Sequence, residues 1–161
     1  MTRSAEDNYG SQPDTGTSKL AAAINGTGGP SGDMTFDLFS PAANSQELLD
    51  WLRSDQETWT DVQLSVFDYV VSGEIGDVSV ATGLQVRNEY YNITRSLNSV
   101  VEFDAAGNLT KPADMIFLGG GTESTNKRRT QAIFAEASTD ISDNLVLKGA
   151  IRYEDLETDS N

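Results

Sequence analysis

Along two stretches of this chain, side chains that carry charge or form hydrogen bonds recur at alternate positions. The first holds Asp68, Ser72 and Glu74, then Gln85, Arg87 and Glu89; the second holds Glu136, then Lys148, Arg152 and Glu154. In extended chain, residues two apart share one face of a sheet, and charges on neighbouring strands can pair across it. Such spacing suits an electrostatic lining. For reaction chemistry the chain has little to offer. It contains no His and no Cys, which removes the usual bases, thiol nucleophiles and thiolate metal ligands. No carboxylate pair, nucleophile–base set or phosphate loop stands out. Asp140, Ser142 and Asn144 alternate as in a calcium loop, but the glycine and distal glutamate of an EF-hand are missing. These residues predict a protein that is not an enzyme, with no catalytic residue, no metal and no cofactor.

The elements that must position the charged residues are two hairpins. With Gly76 and Asp77 as turn residues, Ile75 faces Val78, Gly73 faces Val80, Val71 faces Thr82, Tyr69 faces Leu84 and Phe67 faces Val86. One face is then almost wholly apolar and the other charged. A glycine at the first central position suits a type II′ turn. Val62, Leu64 and Val66 are apolar on the other parity. Either a bulge flips the phase there, or that half lies beyond the apolar medium. In the second hairpin Ile133, Ala135 and Ala137 share a parity, as do Leu145, Leu147, Gly149, Ile151 and Tyr153. Phe134 interrupts the charged face. Register lets Arg87 reach Asp68, and Glu136 reach Lys148.

Elsewhere the signals are weaker. Residues 1–35 are rich in Gly, Ser, Thr, Asn, Asp and Pro and read as loop, with one turn of helix over 19–24 and a short extended piece over 34–39. A helix is expected near 44–54, capped by Asn44 with Glu47 three residues on, and with Leu48, Trp51 and Leu52 on one face. Residues 92–127 read as a long loop in which 100–103 pairs with 115–118.

Bulk properties narrow the function. The 161 residues suit one ordinary domain, yet only 37% are hydrophobic and mean hydropathy is −0.40. A net charge of −14 offers no basic patch for phosphates, which excludes nucleic acid as a partner. No apolar run is long enough for a membrane-spanning helix, and the N-terminus lacks the apolar core of a signal peptide. Strands over 61–75, 78–91, 128–138 and 145–155 alternate between tight and long connections. With the helix-bearing loop region 1–60, the long outer loop 92–127 and the start of another loop at 156–161, that pattern is the signature of an outer-membrane barrel. The expected fold is all-β: antiparallel up-and-down strands forming part of a large transmembrane β-barrel, with long loops and one short helix. Tyr69, Tyr90, Tyr91 and Tyr153 fall where an aromatic girdle would sit.

Three segments resemble TonB-dependent outer-membrane receptors. One is Val66-Phe67-Asp68-Tyr69-Val70-Val71-Ser72-Gly73-Glu74 followed by Val80-Ala81-Thr82-Gly83-Leu84-Gln85-Val86-Arg87-Asn88-Glu89-Tyr90. The next is Phe117-Leu118-Gly119-Gly120-Gly121 followed by Arg129-Thr130-Gln131-Ala132-Ile133-Phe134-Ala135-Glu136. The last is Leu145-Val146-Leu147-Lys148-Gly149-Ala150-Ile151-Arg152-Tyr153-Glu154-Asp155. Phe39-Ser40-Pro41 and residues 44–52 look like an outer loop of the same receptors.

The resemblance implies a closed barrel of about 22 strands around an N-terminal plug. This chain supplies about four of them, so it is expected to be a piece of a longer protein. Phe67, Tyr69, Val71, Val80, Leu84, Val86, Ile133, Leu145, Leu147 and Ile151 would face lipid. Asp68, Gln85, Arg87, Glu89, Glu136, Lys148, Arg152 and Glu154 would line the lumen, where mutual salt bridging is their simplest role. The implied function is active uptake of a scarce nutrient (siderophore-bound iron, cobalamin or carbohydrate) in the cell outer membrane. Implied partners are outer-membrane lipid, the remaining barrel strands and plug domain, the TonB complex acting through that plug, and a small-molecule ligand. Trp51, Trp59, Phe103 and Phe117 are the loop aromatics able to stack on it. The competing expectation is a secreted soluble β-sandwich or lectin-like binding module, its apolar faces packed together.

Overall fold

A computed structural model describes residues 1–160. Strands hold 59% of the chain and helices 11%, so the fold is all-β. In chain order the elements are β1 (Thr2–Gln12), α1 (Thr17–Ile24), α2 (Gln46–Leu52), β2 (Gln56–Ile75), β3 (Val78–Arg95), β4 (Glu102–Phe103), β5 (Leu109–Lys111), β6 (Ser124–Ser142) and β7 (Leu145–Ser160). Five strands form one sheet in the order β1-β2-β3-β6-β7, and β4 pairs with β5 separately.

The long strands are antiparallel, and their register can be followed through side-chain pairs. Between β2 and β3, Asp68 bonds to Gln85 and Thr58 to Arg95, the register expected from a Gly76-Asp77 turn. Gly76 has φ +61° while Asp77, like every described residue other than glycine, has no positive φ, which defines the type II′ turn. The register is the same at both ends of β2. Val62, Leu64 and Val66 therefore stand on the same face as Asp68, and no phase flip is needed. Across β3 and β6, Gly83 lies against Phe134, Glu89 bonds to Arg128 and Asn92 to Thr125. Between β6 and β7, Phe134 faces Arg152 and Glu136 faces Ala150, with an irregularity between Asp140 and Ser142 before the turn.

The strands outrun the periodic apolar signal. β2 begins at Gln56, β3 continues to Arg95, β6 begins at Ser124 and β7 continues to Ser160, where the sequence predicts loop. Backbone pairing with a neighbour extends them, and such pairing leaves no trace in side-chain polarity. β1 is the clearest case. Its residues are exposed throughout, and it is held by β2 through Arg3 on Gln63 and Tyr9 on Glu57. The expectation of loop over 1–35 is corrected accordingly, as is that of a single helix, since α1 runs for eight residues.

α2 is shorter than expected, and its cap is Ser45, whose side-chain oxygen accepts from the Leu48 N–H at 3.2 Å. Asn44 instead braces the preceding loop, accepting from the Asp37 N–H and donating to the Asp37 and Pro41 carbonyls. In the connection after β3, Glu102 faces Lys111 and Phe103 faces Leu109, replacing the expected pairing of 100–103 with 115–118. Asp104 closes that small hairpin by accepting from the N–H groups of Ala106 and Asn108.

The chain divides into two compact units. The sheet unit holds Met1–Asp7, Asp61–Asn92 and the described residues from Thr125 onward. The loop unit holds Asn8–Thr60 and Ile93–Ser124. In the loop unit the core is Ala23, Leu48 and Leu52, with Leu20, Met34, Phe36 and Trp51 packed around them. In the sheet unit Ala132 and Thr130 are buried, while the apolar face of the hairpins is exposed.

Candidate functional site

On the charged face of the sheet unit a hydrogen-bonded ladder crosses four strands. Gln85 on β3 donates through Nε2 to Asp68 on β2 at 2.6 Å. Its Oε1 accepts from Nη2 of Arg152 on β7 at 2.8 Å. Arg152 also donates through Nε to Glu154 at 2.6 Å. Beneath it, on β6, lies the Phe134 ring, 5.9 Å from the Arg152 guanidinium carbon. Gly83 makes the room: a Cβ there would stand 2.6 Å from Phe134 Cζ and 2.5 Å from the Tyr69 carbonyl oxygen. The interruption by Phe134 is thus a packing partnership with a glycine on the neighbouring strand β3 and a cation on the other neighbour, β7. Neither partner is legible until register is known.

A second cluster lies further along the same face. Arg128 donates to Glu89 Oε2 at 2.6 Å, and Arg87 Nε lies 3.4 Å from the same oxygen. Thr130 stands beside them on β6, fully enclosed. Arg87, Glu89 and Arg152 were identified from sequence; Arg128 and Thr130 were not. Both fall within the strand expected over 128–138 and share the parity of Glu136, which is the signal that marks them.

Two expected contacts are not formed. Arg87 pairs with Glu89, not Asp68, because Gln85 is the residue directly opposite Asp68 and reaches it first. Glu136 does not pair with Lys148. The register sets Glu136 against Ala150 and Lys148 against Ser138, so the two are diagonal. Both line an open groove of about 690 Å³ near the turns, floored by Ser72, Ser79, Ser138 and Ala150.

On the opposite face, Phe67, Tyr69, Val71, Leu84, Ile133, Leu145, Leu147, Ile151 and Tyr153 are exposed, and Val80 and Val86 are half-buried. Contiguous apolar surface of this kind marks a face built to meet lipid or another protein.

In the loop unit the connections are braced by polar contacts. Asp14, only 7% exposed, accepts from the N–H groups of Thr15, Phe117 and Leu118, the last at 2.7 Å. Burial works to raise its pKa, but the N–H groups of Leu118, Thr15 and Phe117 outweigh it and hold the carboxyl below its ordinary value. Asp114 accepts from the N–H of Ser18 at 2.7 Å and from its hydroxyl at 2.5 Å. Its burial is likewise outweighed, and its pKa is lowered. Trp51 packs on the small core under Lys19, and Trp59 lies 5.5 Å from the Tyr9 ring. Phe103 and Phe117 are exposed. So are Phe39, in the Phe39-Ser40-Pro41 segment, and Leu97, at 97% and 85%.

Comparison with models of known families, with curated proteins and with solved structures finds no match to this chain.

Proposed function

We propose that this chain forms part of the wall of an outer-membrane receptor of the TonB-dependent kind, serving active uptake of a scarce nutrient. The observation that carries the reading is the division of the sheet unit. Phe67, Tyr69, Val71, Leu84, Leu145, Leu147 and Ile151 stand exposed on one face. The other face is polar and charged, and joins part of its charge in the Asp68–Gln85–Arg152–Glu154 ladder and the Arg87–Glu89–Arg128 cluster. A bilayer rewards an apolar exterior, and only closed barrels or helices cross it, since each backbone polar group in lipid needs a partner. In this reading further barrel strands pair with the sheet's edges. The ligand meets the loop unit, and a plug linked to the TonB complex supplies the energy. The sandwich alternative needs a second layer over the apolar face. Among the described residues the only other sheet is the two-stranded β4–β5 pair.

Because the sequence has no cysteine, single cysteines report cleanly. Val71→Cys and Ile151→Cys, labelled with a fluorophore in vesicles containing brominated lipid, are expected to be quenched. Ser72→Cys and Ala150→Cys are expected to stay bright. Equal quenching on both faces, or a folded monomer in plain buffer with Val71 and Ile151 shielded, would overturn the proposal.

A further inference from the structure

On the apolar side of the sheet unit, register sets Tyr69, Leu84, Ile133 and Tyr153 in one rung across β2, β3, β6 and β7. Both tyrosines are exposed, toward the end of the apolar stretch that lies away from the turns. Aromatic side chains so placed mark the depth at which hydrocarbon gives way to headgroups. The strands run on past that depth. Two rungs further from the turns Arg129 lies opposite Glu157, and in the next rung Lys127 lies opposite Asp159. All four are exposed and share the parity of the apolar side. Neither couple closes to an ion pair; those found among the described residues lie elsewhere. Together with Asn88 and Tyr90 the four line an open hollow of about 470 Å³. Both cations stand on β6 and both anions on β7, so a column of positive charge runs beside a column of negative charge. The four together carry no net charge, and such an arrangement selects a ligand that is itself dipolar.

We propose that this hollow binds the phosphoethanolamine headgroup of a membrane lipid. The phosphate accepts from Lys127 and Arg129, and the ammonium donates to Glu157 and Asp159. Adjacent strands lie about 4.8 Å apart, a gap that the two-carbon link between phosphate and ammonium bridges. The acyl chains then run toward the turns over Ile133 and Ile151, both exposed. A choline headgroup has no N–H to donate, and a glycerol headgroup brings no positive charge, so the two columns together tell headgroups apart. The proposal deepens the uptake reading and rests on it for one thing, that the apolar face meets lipid.

The test is a competition read by native mass spectrometry. The full chain in maltoside micelles is offered equal amounts of phosphatidylethanolamine, phosphatidylcholine and phosphatidylglycerol, and its one-to-one lipid adducts are compared. The ethanolamine adduct is expected to exceed each of the others about threefold, the scale of exposed ionic contacts. Lys127→Gln with Arg129→Gln should bring it down to the choline level. Glu157→Gln with Asp159→Asn leaves the cations unbalanced and should put phosphatidylglycerol first. There is no such site if no adduct forms, if the three lipids are retained equally, or if phosphatidylglycerol leads in the unaltered chain. An ethanolamine preference unchanged in both double variants would overturn it too. Any of these results with lipid quenching intact at Val71 and Ile151 removes the headgroup site alone, whereas loss of the quenching removes the uptake reading as well.

Discussion

Phe134 Cζ occupies the space above Gly83: a Cβ on that glycine would come within 2.6 Å of it. The same Cβ would stand 2.5 Å from the Tyr69 carbonyl oxygen, which belongs to backbone and cannot rotate away. Gly83→Ala is therefore expected to destabilise the sheet unit by about 1–3 kcal/mol, as overpacking does. Phe134→Ala in the same chain relieves only one of the two clashes. Denaturant midpoints of the single and double variants check this, and full rescue in the double variant would show that the ring alone sets the limit.

The polar ladder makes two residues on non-adjacent strands interdependent. Asp68 on β2 and Arg152 on β7 both bond to Gln85. These contacts are half-exposed, so each is worth little. A double-mutant cycle on Asp68→Ala and Arg152→Ala should still show a coupling of about 0.5 kcal/mol. The coupling should vanish in a Gln85→Leu background, because leucine can neither donate to Asp68 nor accept from Arg152.

Asp14 ties the segment around Phe117 to the segment before α1. Its folded pKa is depressed, so its contribution is fully present above the ordinary aspartate value of about 4 and is lost as pH falls through the lower folded value. Amide exchange at Phe117 and Leu118 should therefore be insensitive to this group from pH 5 to 8, and should lose protection only in more acid solution. Asp14→Asn, which keeps the shape and removes the charge, is expected to cost about 1–3 kcal/mol at neutral pH. Protection in that variant should be low across the whole range.

Capping separates two adjacent residues that the sequence alone confuses. Ser45→Ala removes the acceptor for the Leu48 N–H and should cost α2 about 1 kcal/mol. Asn44→Ala leaves that bond intact and loosens the loop at Asp37 and Pro41 instead. Exchange of the Leu48 and Asp37 amides distinguishes the two. The reverse pattern would restore Asn44 as the cap.

Much of the sheet was legible because its hairpins announce themselves. Apolar alternation and a glycine at the turn were enough to place Asp68 opposite Gln85. The charged face followed from parity alone. What stayed hidden depends on partners distant in sequence. β1 has no apolar stripe and is a strand only because β2 lies beside it. Asn44 and Ser45 are both good caps in isolation, and the neighbouring Asp37 decides between them. The ion pairs went astray for a related reason. Charge type suggested Arg87 with Asp68 and Glu136 with Lys148, whereas the directly opposed residues claimed the first contact and diagonal placement prevented the second. Phe134 was visible as an anomaly, but its explanation needed Gly83 on another strand.

β1 follows β2 only where Arg3 meets Gln63 and Tyr9 meets Glu57, and it begins at Thr2. From 65 to 75, then, β2 has β3 along one flank and, among the described residues, no strand along the other. In an antiparallel strand successive amides point to opposite flanks. Proton exchange through this stretch should accordingly read like a comb, slow and fast at alternate residues. Any chain that docks there would fill the missing teeth, and the fast amides would fall silent in step.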